Sequence, residues 1–195
     1  MIKIAKPIWL MQPIPYFGED LKGEWIYEPK LDGWRMQIVK TYEGKIKFFG
    51  RRLEKNPDWT EDLGYLCEKI EDKIPNNTIL DSELYCDKGR RFIPSLFSRK
   101  PKVKPIIDIF DVIYFDGKFL GNLPLRERKK ILSEIGFENP FYCIEYYPLR
   151  NIKQALEKML REGHEGIVIK KLNSFYKISK DGPIATENWR KIKRG

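Results

Sequence analysis

Glu28-Pro29-Lys30-Leu31-Asp32-Gly33-Trp34-Arg35 is the stretch on which the reading of this chain turns. It lies between two strand-like runs, 24–28 and 34–40, rich in aromatic and β-branched residues. Asp32-Gly33 already supplies the turn chemistry such a junction needs, so a lysine two residues earlier is not required for the turn. The functional reading makes Lys30 a nucleophile. An amine attacks phosphorus only as the free base; neighbouring cations, a bound metal or desolvation would release its proton, whereas Asp32 alone would hold it. By itself a Lys-x-Asp-Gly match carries little weight, so the rest of the chain has to supply the context.

Outward from this stretch, further strands are expected at 45–50, 78–86, 106–115, 141–146 and 165–171. Helices are expected over 60–73, 125–135 and 151–162. The first carries Leu63, Leu66, Cys67 and Ile70 at helical spacing behind a capping Thr60; the second is stopped by Gly136; the third runs from a capping Asn151 to Gly163. Strands outnumber helices and most links are too short for helical crossovers, which predicts an α+β domain with largely antiparallel sheets. Within 78–86, period two sets Leu80, Ser82, Leu84 and Cys86 on one face and Asp81 and Glu83 on the other, as in a cleft wall. The same period puts Trp189, Lys191 and Lys193 on one side, an arrangement that suits phosphate and equally suits a solvated edge strand.

The chain has 195 residues, enough for one domain with a real core. At 42% hydrophobic and 33% charged it has an ordinary globular composition, and no apolar run approaches the roughly 20 residues of a membrane helix. The first seven residues lack the features of a signal peptide, and Cys67, Cys86 and Cys143 are isolated and odd in number, against a disulfide framework or a zinc site. A cytoplasmic location is expected. Lys and Arg number 37 against 28 Asp and Glu, a net charge of +9. That excess suits a polyanionic partner, nucleic acid first, or else a thermally stable charged surface.

Five motifs in order give Lys30 its context. Lys30-Leu31-Asp32-Gly33-Trp34-Arg35 resembles motif I (KxDGxR) of the covalent nucleotidyltransferase superfamily, whose lysine forms a nucleotide phosphoramidate. Asp81-Ser82-Glu83 resembles motif III, with serine for the usual glycine, and Ile109 to Gly117 is similar to the ligase form of motif IIIa. Glu165-Gly166-Ile167-Val168-Ile169-Lys170 resembles motif IV, and Trp189-Arg190-Lys191-Ile192-Lys193 motif V. Leu123-Pro124-Leu125-Arg126-Glu127-Arg128 resembles the LPLxER stretch of ATP-dependent DNA ligases, and Gly50-Arg51-Arg52 their SRN-type loop with Gly50 and Arg52 in place of serine and asparagine. The chain is therefore identified as resembling the adenylation domain of an ATP-dependent DNA ligase.

This resemblance implies an α+β nucleotidyltransferase (ATP-grasp-like) fold, with packed, largely antiparallel sheets flanked by helices, over residues 1–195. It implies that Lys30 takes AMP from ATP and passes it to the 5′-phosphate of a nick in duplex DNA, which the 3′-hydroxyl then seals. Glu28 would meet the adenine amino group and Phe110 stack on the base; Arg35 and Glu83 would hold the sugar, and Arg51 would lie by the ribose or the nick phosphate. Lys191 and Lys193, with Lys170 as a further candidate, would bind phosphate, and Glu165 would help to hold Mg²⁺. Family ligases continue into an OB-fold domain, which this sequence does not contain, so a separate OB-fold domain or protein is an expected partner of an otherwise monomeric chain. RNA ligases and guanylyltransferases share the KxDG chemistry, and a non-catalytic nick-binding module would share the fold; the motif IIIa and LPLxER stretches argue against the first two, and the intact charged residues against the third.

Overall fold

The computed structural model describes residues 2–193, so the chain end at Gly195 lies outside the described residues. Among the described residues eleven strands run in chain order as β1 (Gln12–Pro15), β2 (Trp25–Lys30), β3 (Trp34–Lys40), β4 (Ile46–Gly50), β5 (Thr78–Cys86), β6 (Pro105–Phe115), β7 (Lys118–Phe119), β8 (Phe141–Cys143), β9 (Tyr147–Pro148), β10 (Gly166–Lys171) and β11 (Ala185–Lys193). Two α-helices, α1 (Leu125–Glu134) and α2 (Ile152–Arg161), join them. One sheet has the order β1-β11-β10-β2-β9; the other runs β4-β3-β5-β6-β7, with β8 on β6. Pairing is antiparallel except for β1 with β11 and β8 with β6. The fold class is the α+β one expected from the sequence.

Period-two alternation sorts these strands into layers. Met36 and Ile38 of β3, with Leu80 and Leu84 of β5, face outward onto Leu63, Leu66, Ile93, Leu96 and Leu132. Trp25, Tyr27, Ile167 and Ile169 of the other sheet face outward onto Ala155 and Met159 of α2. Between the sheets lies a third cluster containing Leu10, Met11, Val39, Phe49, Phe110, Tyr176 and Trp189. The interior-facing positions of both sheets therefore carry a mixture of apolar and charged groups, and there the cleft opens.

The helix expected over 60–73 does not form. The segment is a chain of turns with a 3₁₀ helix at Gly64–Lys69, closed by Leu66 N–H donating to the Leu63 carbonyl at 2.9 Å and Ile70 N–H to that of Cys67 at 3.1 Å. Thr60 caps nothing; its hydroxyl accepts from the Phe48 N–H at 3.1 Å. Leu63, Leu66 and Ile70 are buried all the same, because spacings of three and four serve a 3₁₀ and an α-helix alike. Of the strand expected over 141–146 only β8 forms, paired with β6; β9 follows directly in the other sheet, so the link between them ties the two sheets together. β1, not among the expected strands, contains Pro13 and Pro15 and sits at a sheet edge, where proline is tolerated. Asn151 caps α2 as expected, accepting from Gln154 N–H at 3.0 Å.

α1 is held by an ion pair between two fully buried groups. Arg128 Nε donates to Asp111 Oδ1 at 2.7 Å and Nη2 to Oδ2 at 2.9 Å, while Nη1 reaches the Leu123 carbonyl at 2.6 Å. Despite burial, which works the other way, Arg128 keeps the Asp111 carboxyl below the usual carboxylate range. Arg128→Met should cost about 3–5 kcal/mol in urea unfolding, because it strands a buried charge, and adding Asp111→Leu should recover most of the loss. A single-variant loss under about 1 kcal/mol would show that water reaches the pair.

Candidate active site

The turn between β2 and β3 delivers Lys30 into the space between the sheets. Gly33 has no left-handed backbone; what it supplies is room, since a Cβ there would lie 2.5 Å from the Leu84 carbonyl oxygen and 2.8 Å from Glu83 Cγ. The turn can thus sit directly on β5. Its far side is held by Arg90, which donates to Asp32 Oδ1 and to the Gly33 carbonyl, both at 2.9 Å. β10 begins alongside, with Glu165 N–H donating to the Lys30 carbonyl at 3.1 Å. These backbone ties bring the Lys30 ammonium and the Glu165 carboxylate into a direct ion pair, and Lys193 pairs with the other Glu165 oxygen. Partial burial pushes the Glu165 carboxyl up, but the bonds from Lys193 and Lys30 win and hold it below its ordinary range.

All ten residues singled out from the sequence line one cleft of about 810 Å³ between the sheets. Trp189, Lys191 and Lys193 face into it from β11, opposite Val168 and Lys170 of β10. Glu83 enters from β5; burial raises its carboxyl to about 7 against the opposing pull of Arg35 and Lys30. Arg51 stands at the rim, its Nη1 donating to Gln12 Oε1 at 3.1 Å. The lining holds nine cationic side chains against three carboxylates, a balance that attracts a polyanion.

Two residues are engaged differently from expectation. Arg35, expected at a sugar, is 9% exposed at its side chain and gives Nε and Nη2 to Asp81 at 2.9 and 2.6 Å. Asp81 is therefore a buried anchor and not an open cleft wall, since its carboxylate, excluded from water, must be paired. Lys170, considered for phosphate, lies 2% exposed at the closed end, with Nζ 2.7 Å from Glu28 Oε2 and 4.4 and 4.1 Å from the ring centroids of Phe110 and Trp189. Burial, with Lys129 nearby, brings the Lys170 amine down to about 8 despite Glu28.

Sequence reasoning missed several residues of the lining. Trp34 and Trp59 form part of one wall, tilted against each other at 5.9 Å. Gly50, the departure in the SRN-type loop, belongs with that wall: a Cβ there would be 2.5 Å from Trp59 Cζ2, so serine does not fit without moving the ring. Ser82, the departure in motif III, faces away from the cleft and donates to the Met36 carbonyl at 2.7 Å. The excess of tryptophan near motif I was the available signal.

Glu83 generates a pH test. Its folded value of about 7 lies above the ordinary glutamate value of 4.5, so the stability it contributes is full below 4.5 and is lost as pH rises through 7. Chemical unfolding should show Glu83→Gln gaining on the unsubstituted chain at pH 8 relative to the same comparison at pH 5. An equal difference at both pH values would place Glu83 in water.

Comparison with known proteins agrees with this geometry. The family model described as ATP dependent DNA ligase domain matches residues 11–193. The DNA ligase of Methanothrix thermoacetophila is 32% identical over 98% of this chain and 37% of its own length. The SPbeta prophage-derived DNA ligase-like protein LigB of Bacillus subtilis is 32% identical over 86% of this chain and 60% of its own. The chain thus spans 37% of the first of these relatives and 60% of the second. Among solved structures, mycobacterial DNA ligase D complexed with ATP and MES superposes with a TM-score of 0.72 at 22% identity, over 95% of this chain and 60% of that one. With a family match covering nearly its whole length and the motif residues gathered in one cleft, this chain belongs to the ATP-dependent DNA ligase domain family.

Proposed function

We propose that this chain is the adenylation domain of an ATP-dependent DNA ligase, with Lys30 as the nucleophile that receives AMP. The observation that carries the reading is the order of groups along one cleft. Phe110 and Glu28 lie at a buried end, Lys30 with Glu165 further out, and Lys191 and Lys193 on the adjoining strand face. A purine slides against Phe110, whose flat face suits a π-system. An ionised carboxylate at Glu28 accepts hydrogen bonds only, which matches the 6-amino group of adenine. Glu83 and Arg51, also in the lining, are assigned to the ribose, and Arg35, held by Asp81, supplies a fixed positive charge.

In the proposed first step the Lys30 Nζ–Pα bond forms as the Pα–O bond to pyrophosphate breaks, and the ammonium proton leaves to solvent. Lys191 and Lys193 meet the charge that develops on the departing phosphates. AMP then passes to a 5′-phosphate at a nick in duplex DNA, and the 3′-hydroxyl displaces it. Magnesium fits the Glu165 carboxylate, a hard oxygen donor on the cleft lining. Glu165 with phosphate oxygens and waters is the kind of set that ion accepts. When bound it would neutralise phosphate charge; positioning remains the work of the side chains named. The chain is proposed to act in the cytoplasm as a monomer, with an OB-fold domain completing the nick clamp.

Intact-mass measurement after incubation with MgATP should show one added AMP, reversed by pyrophosphate and absent in Lys30→Ala. Glu165→Ala should slow its formation by at least about tenfold, the scale on which loss of one charge-stabilising group acts. Label mapped to Lys170, Lys191 or another residue, or preferential labelling by GTP, would overturn the assignment.

A further inference from the structure

Lys129 stands in the run Arg126-Glu127-Arg128-Lys129-Lys130 of α1, whose composition alone would turn it toward solvent or a polyanion. It is instead 1% exposed and outside the cleft lining. Its Nζ donates to the Phe110 carbonyl at 2.9 Å, pairs with Glu28 Oε1 and lies 5.2 Å from the Tyr146 ring centroid. Glu28 belongs to β2 of one sheet and Phe110 to β6 of the other. One ammonium therefore braces the two sheets against each other at the closed end, holding the two residues assigned above to the base.

Packing does not require a charge there. A methionine or leucine would fill the space, and burying an ammonium costs several kcal/mol before its partners offset it. What the charge does is specific to Glu28. Lys129 takes one carboxylate oxygen and Lys170 the other, at 2.7 Å. Two ammonium groups, one on each carboxylate oxygen, pull on Glu28 from two sides, so that its direction is fixed and its remaining lone pairs face the base as acceptors.

We propose that Lys129 is a positioning residue for base selectivity: by bracing Glu28 against the Phe110 backbone it makes the slot accept a 6-amino purine and reject a 6-oxo one. This rests on the reading that Glu28 and Phe110 meet the base. A carboxylate oxygen held in place accepts from the amino group of adenine and faces the oxo group of hypoxanthine with like partial charge. A Glu28 released on one side can swing toward Lys170, losing the bond to adenine while easing the repulsion of the oxo base.

The test compares equilibrium binding of AMP and IMP by titration calorimetry, alongside adduct formation on Lys30 from ATP and ITP. The variants are Lys129→Met, Lys129→Arg and Glu28→Gln. The unsubstituted chain should prefer the amino purine, and Lys129→Met should lower that preference about tenfold or more, mostly through weaker amino-purine binding. Lys129→Arg should restore part of it. Lys129→Gln, which keeps a donor for the Phe110 carbonyl but removes the charge, is read in the same way should the methionine variant prove insoluble. Equal losses for both purines would mean that Lys129 only supports the fold, and would overturn the proposal. A preference that Glu28→Gln leaves intact would instead remove the base reading itself. Collapse in Glu28→Gln without collapse in Lys129→Met would sink the Lys129 role alone.

Discussion

Asp81 has no solvent around it, and much of the architecture consists of the ways its charge is met. Arg35 gives it two nitrogens and the Tyr176 hydroxyl a third bond at 2.7 Å. The same Arg35 reaches the Met11 carbonyl at 2.6 Å, and the Met11 N–H donates to the Tyr176 oxygen at 3.0 Å. Four segments far apart in the chain thereby close on one carboxylate. Removing Arg35 would leave charge uncompensated in a dry interior, which is costlier than never having placed the pair there. The guanidinium so fixed lies 5.4 and 5.9 Å from the Phe110 and Trp189 ring centroids. The network that joins the sheets is also the floor of the cleft.

A second network, Glu28 with Lys129 and Lys170, repeats this logic at the closed end, and Arg128 with Asp111 repeats it behind α1. An apolar core would be at least as stable as such a set of buried ions. The arrangement makes sense when the space between the sheets must stay open for a charged, flat ligand: apolar side chains would close it, whereas paired ions hold the walls apart at fixed distances. Several motif residues are thus tied into the walls of the cleft. Arg35 belongs to motif I and Arg128 to the LPLxER stretch, yet both are spent on buried aspartates.

That distinction marks where the sequence was legible. β3, β5 and β6 could be read from their composition and alternation, and α2 from its asparagine cap, because those signals are local. The gathering of Lys30, Glu83, Glu165, Lys191 and Lys193 into one cleft was legible from motif order. What a polar side chain is bonded to was not, because partners such as Arg35 and Asp81, or Lys170 and Glu28, are set by strand register and not by nearby sequence. Lys129 escaped notice for the same reason: a lysine between an arginine and another lysine on a helix carries no mark of burial. The 60–73 segment misled because its apolar spacing fits two helix types, and Gly64 weakens the α form.

The cleft is graded from dry and fixed to wet and charged, and the gradient matches the order of the proposed chemistry. Lys170 is 2% exposed at its side chain, Lys30 17%, Glu165 26% and Lys193 54%. Recognition of a base needs immobile groups whose hydrogen bonds are not in competition with water, and these lie where exposure is least. Exchange of phosphoryl groups with a large polyanion needs access, and there the ties loosen. Among the described residues Arg51, Arg52, Lys55 and Lys191 make no ion pair at all, so their charge is left for an incoming partner. Lys30 sits where the two regimes meet: its turn is packed on Leu84 and held by Arg90, while its ammonium shares Glu165 with the exposed Lys193. A lysine on a rigid turn with an exchangeable partner can be aimed once and still release that partner, as the proposed nucleotidyl transfer would require of Lys30.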